Sequence, residues 1–166
     1  MKLEEGVVVV EEEEYYKTWG RSRSVRLRGF DYGASSVVYH VTIGARDKQR
    51  LFVGADVNEQ ISTILKRLCR AHKYVLIAYC LMPDHAHVLV LSEEGCSELS
   101  QLVRAFKSYS TRRVGRRLWQ RGYYEHIVRK EEDVLVTAEY IINNPVRKEL
   151  VRRAEDYRWA EVVHIP

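Results

Sequence analysis

Long apolar runs are missing from this chain of 166 residues, so no segment is suited to span a bilayer as a helix. The opening stretch MKLEEGVVVVEEEE is not a secretory leader either: its apolar run is four valines, enclosed by acid. A cytoplasmic protein without a membrane partner is the expectation. Cysteine is scarce: Cys69, Cys80 and Cys96 make an odd set with no C-x-x-C spacing, which argues against a disulfide framework. Cys69 and Cys80 fall in apolar periodic stretches and are expected as buried thiols. There is no internal repeat, no low-complexity linker, no P-loop and no recognisable hydrolase triad. Acid is also absent between Leu99 and Tyr124.

What is present is an ordinary globular composition, 46% hydrophobic and 30% charged, of a length that suits one core. The net charge of +4 conceals a division. Residues 1–14 hold six Glu and one Lys, a net of −5, which leaves 26 basic and 17 acidic residues, or +9, on the remainder. Such a body attracts a polyanion. The division suggests an acidic, poorly ordered tail over residues 1–24 and a single domain over residues 25–166. Residues 15–36 are aromatic and basic and are assigned no element.

From Val37 the pattern sharpens. Val37–Ile43 is rich in β-branched and aromatic residues and reads as a strand. Asp56, with Glu59 three residues on, reads as the capping box of a helix whose buried face is Val57, Ile61, Ile64, Leu65 and Leu68. Tyr74–Leu81 is a near-continuous apolar run, a central-strand signal, and Met82-Pro83-Asp84 turns it into a second strand, His85–Leu91. Ser97 is placed to N-cap the next helix, buried through Leu99, Leu102, Val103 and Phe106. Tyr123–Val128 is a short fourth strand, and a last helix runs from about Asp133 to Asn144, where Pro145 stops it. The order βαββαβ plus a helix predicts an α+β, ferredoxin-like fold: a four-stranded antiparallel sheet with helices on one face and an added C-terminal helix.

Two places carry chemistry. His85 and His87 are alternate residues of a strand, so their imidazoles share a face. Neutral imidazole is a common metal ligand, and two supply half a site, with a further ligand needed from elsewhere. On the last helix, Val134, Leu135, Ala138, Ile141 and Ile142 form the apolar stripe. Asp133, Thr137, Tyr140 and Asn144 form a second stripe, roughly 120° away at ~100° per residue. If that helix covers the histidine face, Asn144 offers an amide oxygen to the metal and Tyr140 stands beside it. A phenol with its ordinary pKa of ~10 is a weak nucleophile at neutral pH, and a cation offsets that by neutralising charge on a phosphodiester.

At this point a family resemblance enters. Leu81-Met82-Pro83-Asp84-His85-Ala86-His87-Val88-Leu89-Val90 resembles the His-hydrophobe-His strand of the HUH transposases. Tyr140-Ile141-Ile142-Asn143-Asn144-Pro145-Val146-Arg147 resembles the tyrosine-helix signature of their REP-associated tyrosine transposase branch. Leu118-Trp119-Gln120 and Tyr124-Glu125-His126-Ile127-Val128-Arg129 resemble the segment between them, and Tyr39-His40-Val41-Thr42 the first strand. The likeness spans about residues 26–160, and it is the order of the pieces that is specific.

The resemblance implies that His85 and His87 ligate a divalent metal, Mg²⁺ or Mn²⁺, although imidazole pairs also suit Zn, Ni or Co. It implies that Tyr140 attacks a phosphate of single-stranded DNA, keeping a 5′-phosphotyrosine and leaving a 3′-hydroxyl, near a hairpin formed by a palindromic repeat. Asn144 stands where the mobile relatives usually have Gln. Mobile relatives work as dimers with swapped tyrosine helices and the REP-associated branch as monomers, so monomer and homodimer are both open.

The acid-free stretch holds Arg104, Lys107, Arg112, Arg113, Arg116, Arg117 and Arg121, interleaved with Phe106, Tyr109, Trp119, Tyr123 and Tyr124. Cations neutralise phosphates and aromatic rings stack on unpaired bases, so DNA contact is expected there, with Phe106 assigned to the core. Glu125 and His126 are further candidates to support the site. Two other readings stay open: a catalytically idle module that recognises hairpin nucleic acid, and a replication or conjugation initiator of the HUH class.

Overall fold

The computed structural model describes residues 37–129 and 131–164. The acidic tail, residues 1–24, and the unassigned stretch 15–36 lie outside the described residues.

The β-branched run forms β1 (Val38–Gly44), and the apolar run forms β2 (Tyr74–Met82), which turns through Pro83-Asp84 into β3 (His85–Ser92). With β4 (Tyr124–Val128) and β5 (Ala160–Val162) they make an antiparallel sheet in the order β4-β1-β3-β2-β5. Three helices cover it: α1 (Ala55–Ala71), α2 (Leu99–Val114) and α3 (Glu131–Arg147). Alternation along the strands divides the core. One cluster holds Tyr39, Val41, Ile43, Val88 and Val90 against Ile61, Leu65, Leu102 and Phe106 of α1 and α2. The other holds Val38, Cys80, Met82 and Leu89 against Val134, Ala138 and Ile141 of α3. The predicted α+β fold is therefore present, with the added helix alone on the face opposite the other two. Among the described residues no helix is long and apolar enough to cross a membrane.

Several local expectations need correction. β5 has no counterpart in the sequence reading, because three residues are too few to show an alternation. The first helix begins at Ala55 behind Gly54, which has no side chain to cap with. Asp56 lies in the first turn, where a carboxylate still favours the helix dipole. The second helix has Glu98, not Ser97, at its N-cap, and the Ser97 hydroxyl instead pairs with His72 Nδ1 at 2.7 Å. Pro145 does not stop α3, which continues to Arg147. A proline so near the helix end costs only one late backbone bond, and its own carbonyl still accepts from Leu150 N at 2.8 Å. Cys69 and Cys80 are buried, as expected, and burial pushes both thiols up to about 12.

Candidate active site

The side chains of His85 and His87 share the α3 face of β3 with Leu89, and their Nε2 atoms lie 3.1 Å apart. Both Nδ1 atoms are occupied from behind. His85 Nδ1–H donates to Asp84 Oδ1 at 2.6 Å, and this bond holds the Asp84 carboxyl below its usual range. His87 Nδ1 has two partners at 3.1 Å, the hydroxyl of Thr42 and Nε2 of His40. When His87, like His85, carries its proton on Nδ1, each Nε2 presents a lone pair to the other. Two lone pairs do not attract, and a separation near 3 Å is what two adjacent donors have around a divalent ion with bonds of ~2.1 Å. The pair thus fits a metal.

The charge states agree with ligation. His87 is completely buried, and burial first, then the charges of His85, His40 and Arg147, hold its pKa well below the ordinary value. His40 is 2% exposed and is pushed down to about 3 by burial, with His126 adding to the effect. Both rings are neutral at physiological pH. Among the described residues no group of three or more His, Cys, Asp and Glu side chains surrounds one point. Cys80, the cross-strand partner of His87, is a neutral buried thiol.

α3 brings Tyr140 onto this cluster. Its ring stands nearly edge-on to His87 and His40, at 5.9 and 6.2 Å between centroids. The guanidinium of Arg147, two helical turns further on, lies 4.6 Å from the centre of the same ring. Asn144 is buried, and its Nδ2 donates to the Tyr140 carbonyl at 2.9 Å, leaving the amide oxygen as its remaining acceptor. The buried stripe of α3 is Val134, Ala138, Ile141, Asn144 and Pro145 with Tyr140 half-buried beside it, while Leu135 is half exposed. That corrects the predicted stripe: the helix faces the sheet more nearly with Tyr140 than with Leu135. The placement of the Asp133 side chain lies outside the described residues.

The supporting groups separate. His126 is the register partner of His40 and shares its face, whereas Glu125 pairs with Val41 and points to the opposite layer. His40, Thr42 and Arg147 carry roles that sequence reasoning missed. The available signal was the alternation in Val38-Tyr39-His40-Val41-Thr42, which puts two polar groups on one face of a buried strand.

The basic stretch is distributed. Arg104, Arg112 and Arg113 are exposed on α2, on the layer behind the sheet, and Arg116, Arg117 and Arg121 are exposed on the loop that follows. Lys107 turns inward. Its ammonium donates to the carbonyls of Gln120, Arg121 and Gly122 at 3.0, 3.1 and 2.8 Å, so it fastens that loop rather than presenting a free cation. Burial lowers its pKa to about 8. Of the interleaved aromatics, Phe106, Trp119 and Tyr123 are buried, leaving Tyr109 and Tyr124 for stacking. Tyr109 lies between Arg67 and Arg112, whose guanidinium carbons are 5.7 and 5.8 Å from its ring centre.

Known proteins resemble this chain in sequence and in fold. The chain is 24% identical over 138 residues to a Haemophilus influenzae protein named "Putative REP-associated tyrosine transposase", covering 74% of this chain and 78% of that one. A REP-associated tyrosine transposase of Escherichia coli K12 is 28% identical over 89 residues, covering 53% and 54%. A REP-associated tyrosine transposase solved bound to a REP hairpin superposes with a TM-score of 0.70 at 20% identity, over 81% of this chain and 82% of that chain, and so has the same fold. The sequence profile described as "Transposase IS200 like" matches residues 34–144, through His85, His87 and Tyr140 to Asn144. The protein belongs to the IS200-like transposase family, and its relatives include REP-associated tyrosine transposases.

Proposed function

We propose that this protein nicks and rejoins single-stranded DNA beside a hairpin, with Tyr140 as nucleophile. The observation that carries this is the pair of imidazole nitrogens 3.1 Å apart with the Tyr140 ring against them. Attack of the Tyr140 oxygen on a phosphodiester forms a 5′-phosphotyrosine, breaks the bond to the 3′-oxygen and releases it as a hydroxyl. The phenol gives up one proton and the leaving oxygen takes one. Because the phosphotyrosine ester replaces one ester by another, a second 3′-hydroxyl can reverse the step.

A divalent cation held by His85, His87 and the Asn144 oxygen, Mg²⁺ or Mn²⁺ on the family pattern, would neutralise charge on the phosphate in flight. The protein's own groups do the positioning. His40 and Thr42 orient His87, Asp84 orients His85, and Arg147 confines the Tyr140 ring while adding positive charge beside it. Arg104, Arg112, Arg113, Arg116, Arg117 and Arg121 would meet DNA phosphates outside the site.

The nucleophile acts in its own chain. Residues 129–130 are all that separates β4 from α3, and so short a link reaches about 10 Å at most. A monomer then holds a complete site.

A gel assay for covalent protein–DNA adducts, with single-stranded hairpins from palindromic repeats and with or without Mn²⁺, tests the proposal. Wild type should give a metal-dependent adduct. Tyr140→Phe should give none while binding the hairpin within about twofold of wild type, since only a hydroxyl is removed. Adducts from Tyr140→Phe would remove Tyr140 from its role. Hairpin binding without adduct, for every metal and flank tried, would favour the idle binding module.

A further inference from the structure

Beside His85 opens a cavity of about 580 Å³ that extends the site past Thr42, Asp84 and His85. Its wall includes Lys48, Arg50 and Lys148, the Tyr124 ring and the Gln120 side chain. That volume is within the range of small-ligand sites, ~300–1,000 Å³. Three cations face one carboxylate, Asp84, which is already committed to His85. Tyr124 is 37% exposed, which leaves part of its ring available to a ligand.

Gln120 is held at the wall with unusual care. A Cβ added at Gly44 would lie 2.7 Å from Gln120 Cδ and 2.8 Å from both Nε2 and Oε1. All three amide atoms are equally near, so the amide lies flat over Gly44, in a space that only glycine leaves open. The residues around it are pinned. Gln120 N donates to Gly44 O at 3.0 Å, and Lys107 fastens the carbonyls of residues 120–122. The Trp119 indole donates to Ser110 Oγ at 2.7 Å, with its ring against Phe52 and Phe106. Among the described residues the Gln120 amide itself makes no hydrogen bond. An amide on a pinned backbone, with a donor and an acceptor unspent, in a cationic cavity next to the histidine pair, has the form of a base-reading group.

We propose that this cavity takes one unpaired nucleotide next to the scissile phosphate, and that Gln120 reads its base. The base stacks on Tyr124 and exchanges two hydrogen bonds with the Gln120 amide, a pairing that adenine matches best. Lys48, Arg50 and Lys148 take the flanking phosphates. This rests on the strand-nicking reading for its location beside the reacting phosphate.

The test crosses protein variants with DNA variants. Wild type and Gln120→Ala are each titrated with a fluorescent hairpin oligonucleotide, intact or carrying an abasic site at successive flanking positions. Covalent adducts are scored on the same set with Mn²⁺. At one position the abasic site should weaken wild-type binding about tenfold, the scale of one stacked and hydrogen-bonded base. Gln120→Ala should lose the hydrogen-bonded part of that factor on the intact oligonucleotide and respond less than wild type to the abasic site there. Gly44→Ala, which pushes the amide aside, should reproduce the loss in wild type and add nothing to Gln120→Ala. Additive losses at every position, or no loss in Gln120→Ala, would overturn the proposal. Coupling in binding with no adduct from wild type would retain the pocket and refute nicking; adducts without coupling would do the reverse.

Discussion

His40 stands behind His87 as Asp84 stands behind His85, one neutral ring and one carboxylate performing the same orienting task. Groups behind a metal ligand fix its tautomer, and their loss typically lowers metal affinity ~10–100-fold. His40→Gln should accordingly raise the Mn²⁺ concentration for half-maximal adduct formation by about 10-fold or more, while the rate at saturating Mn²⁺ stays close to wild type. A reduced plateau with unchanged half-saturation would give His40 a different role. The pairing of His85 and His87 on one face was legible in the sequence because i,i+2 on a strand is a local rule. His40 and Thr42 were not, because their facing His87 depends on the β1–β3 register, a pairing of residues more than 40 positions apart.

α3 shows where periodicity misleads. Its existence and its tyrosine were readable, but its buried stripe was taken from the apolar residues. The sheet face it covers carries His40, Thr42, His85 and His87, so the stripe that meets it is partly polar, and Leu135 and Val136 are left half exposed. Pro145 misled in the same way: the rule that proline ends a helix holds for interiors, and here the helix had one turn left. The short link from β4 to α3 yields a clear expectation. Mixing Tyr140→Phe with His85→Ala/His87→Ala should restore no adduct formation, because each chain completes only its own site. Recovery of a substantial fraction of wild-type activity in the mixture would mean that helices are exchanged between chains.

Across the whole molecule, the arginine-rich stretch and the candidate site are on different layers. The histidines and Tyr140 are under α3, whereas Arg104, Arg112 and Arg113 project from α2 behind the sheet and Arg116, Arg117 and Arg121 from the loop beyond it. Composition revealed the basic stretch but not its side of the sheet, since that is set by which strands α2 crosses. If these arginines hold DNA phosphates, Arg116→Ala/Arg117→Ala should flatten the dependence of log binding constant on log salt by about 2 units, one per phosphate contact, with sequence preference unchanged. An unchanged slope would take the loop off the DNA path.

If Tyr140 is the nucleophile, the tether on α3 also decides which partner moves. A helix joined to its sheet two residues away, with Val134, Ala138 and Ile141 packed beneath it, has no free swing between the two halves of a strand exchange. The phosphotyrosine would stay fixed like a clamp on a bench, and the choreography of cutting one end and receiving another would fall to the nucleic acid, whose own fold must deliver the second 3′-hydroxyl to a stationary bond.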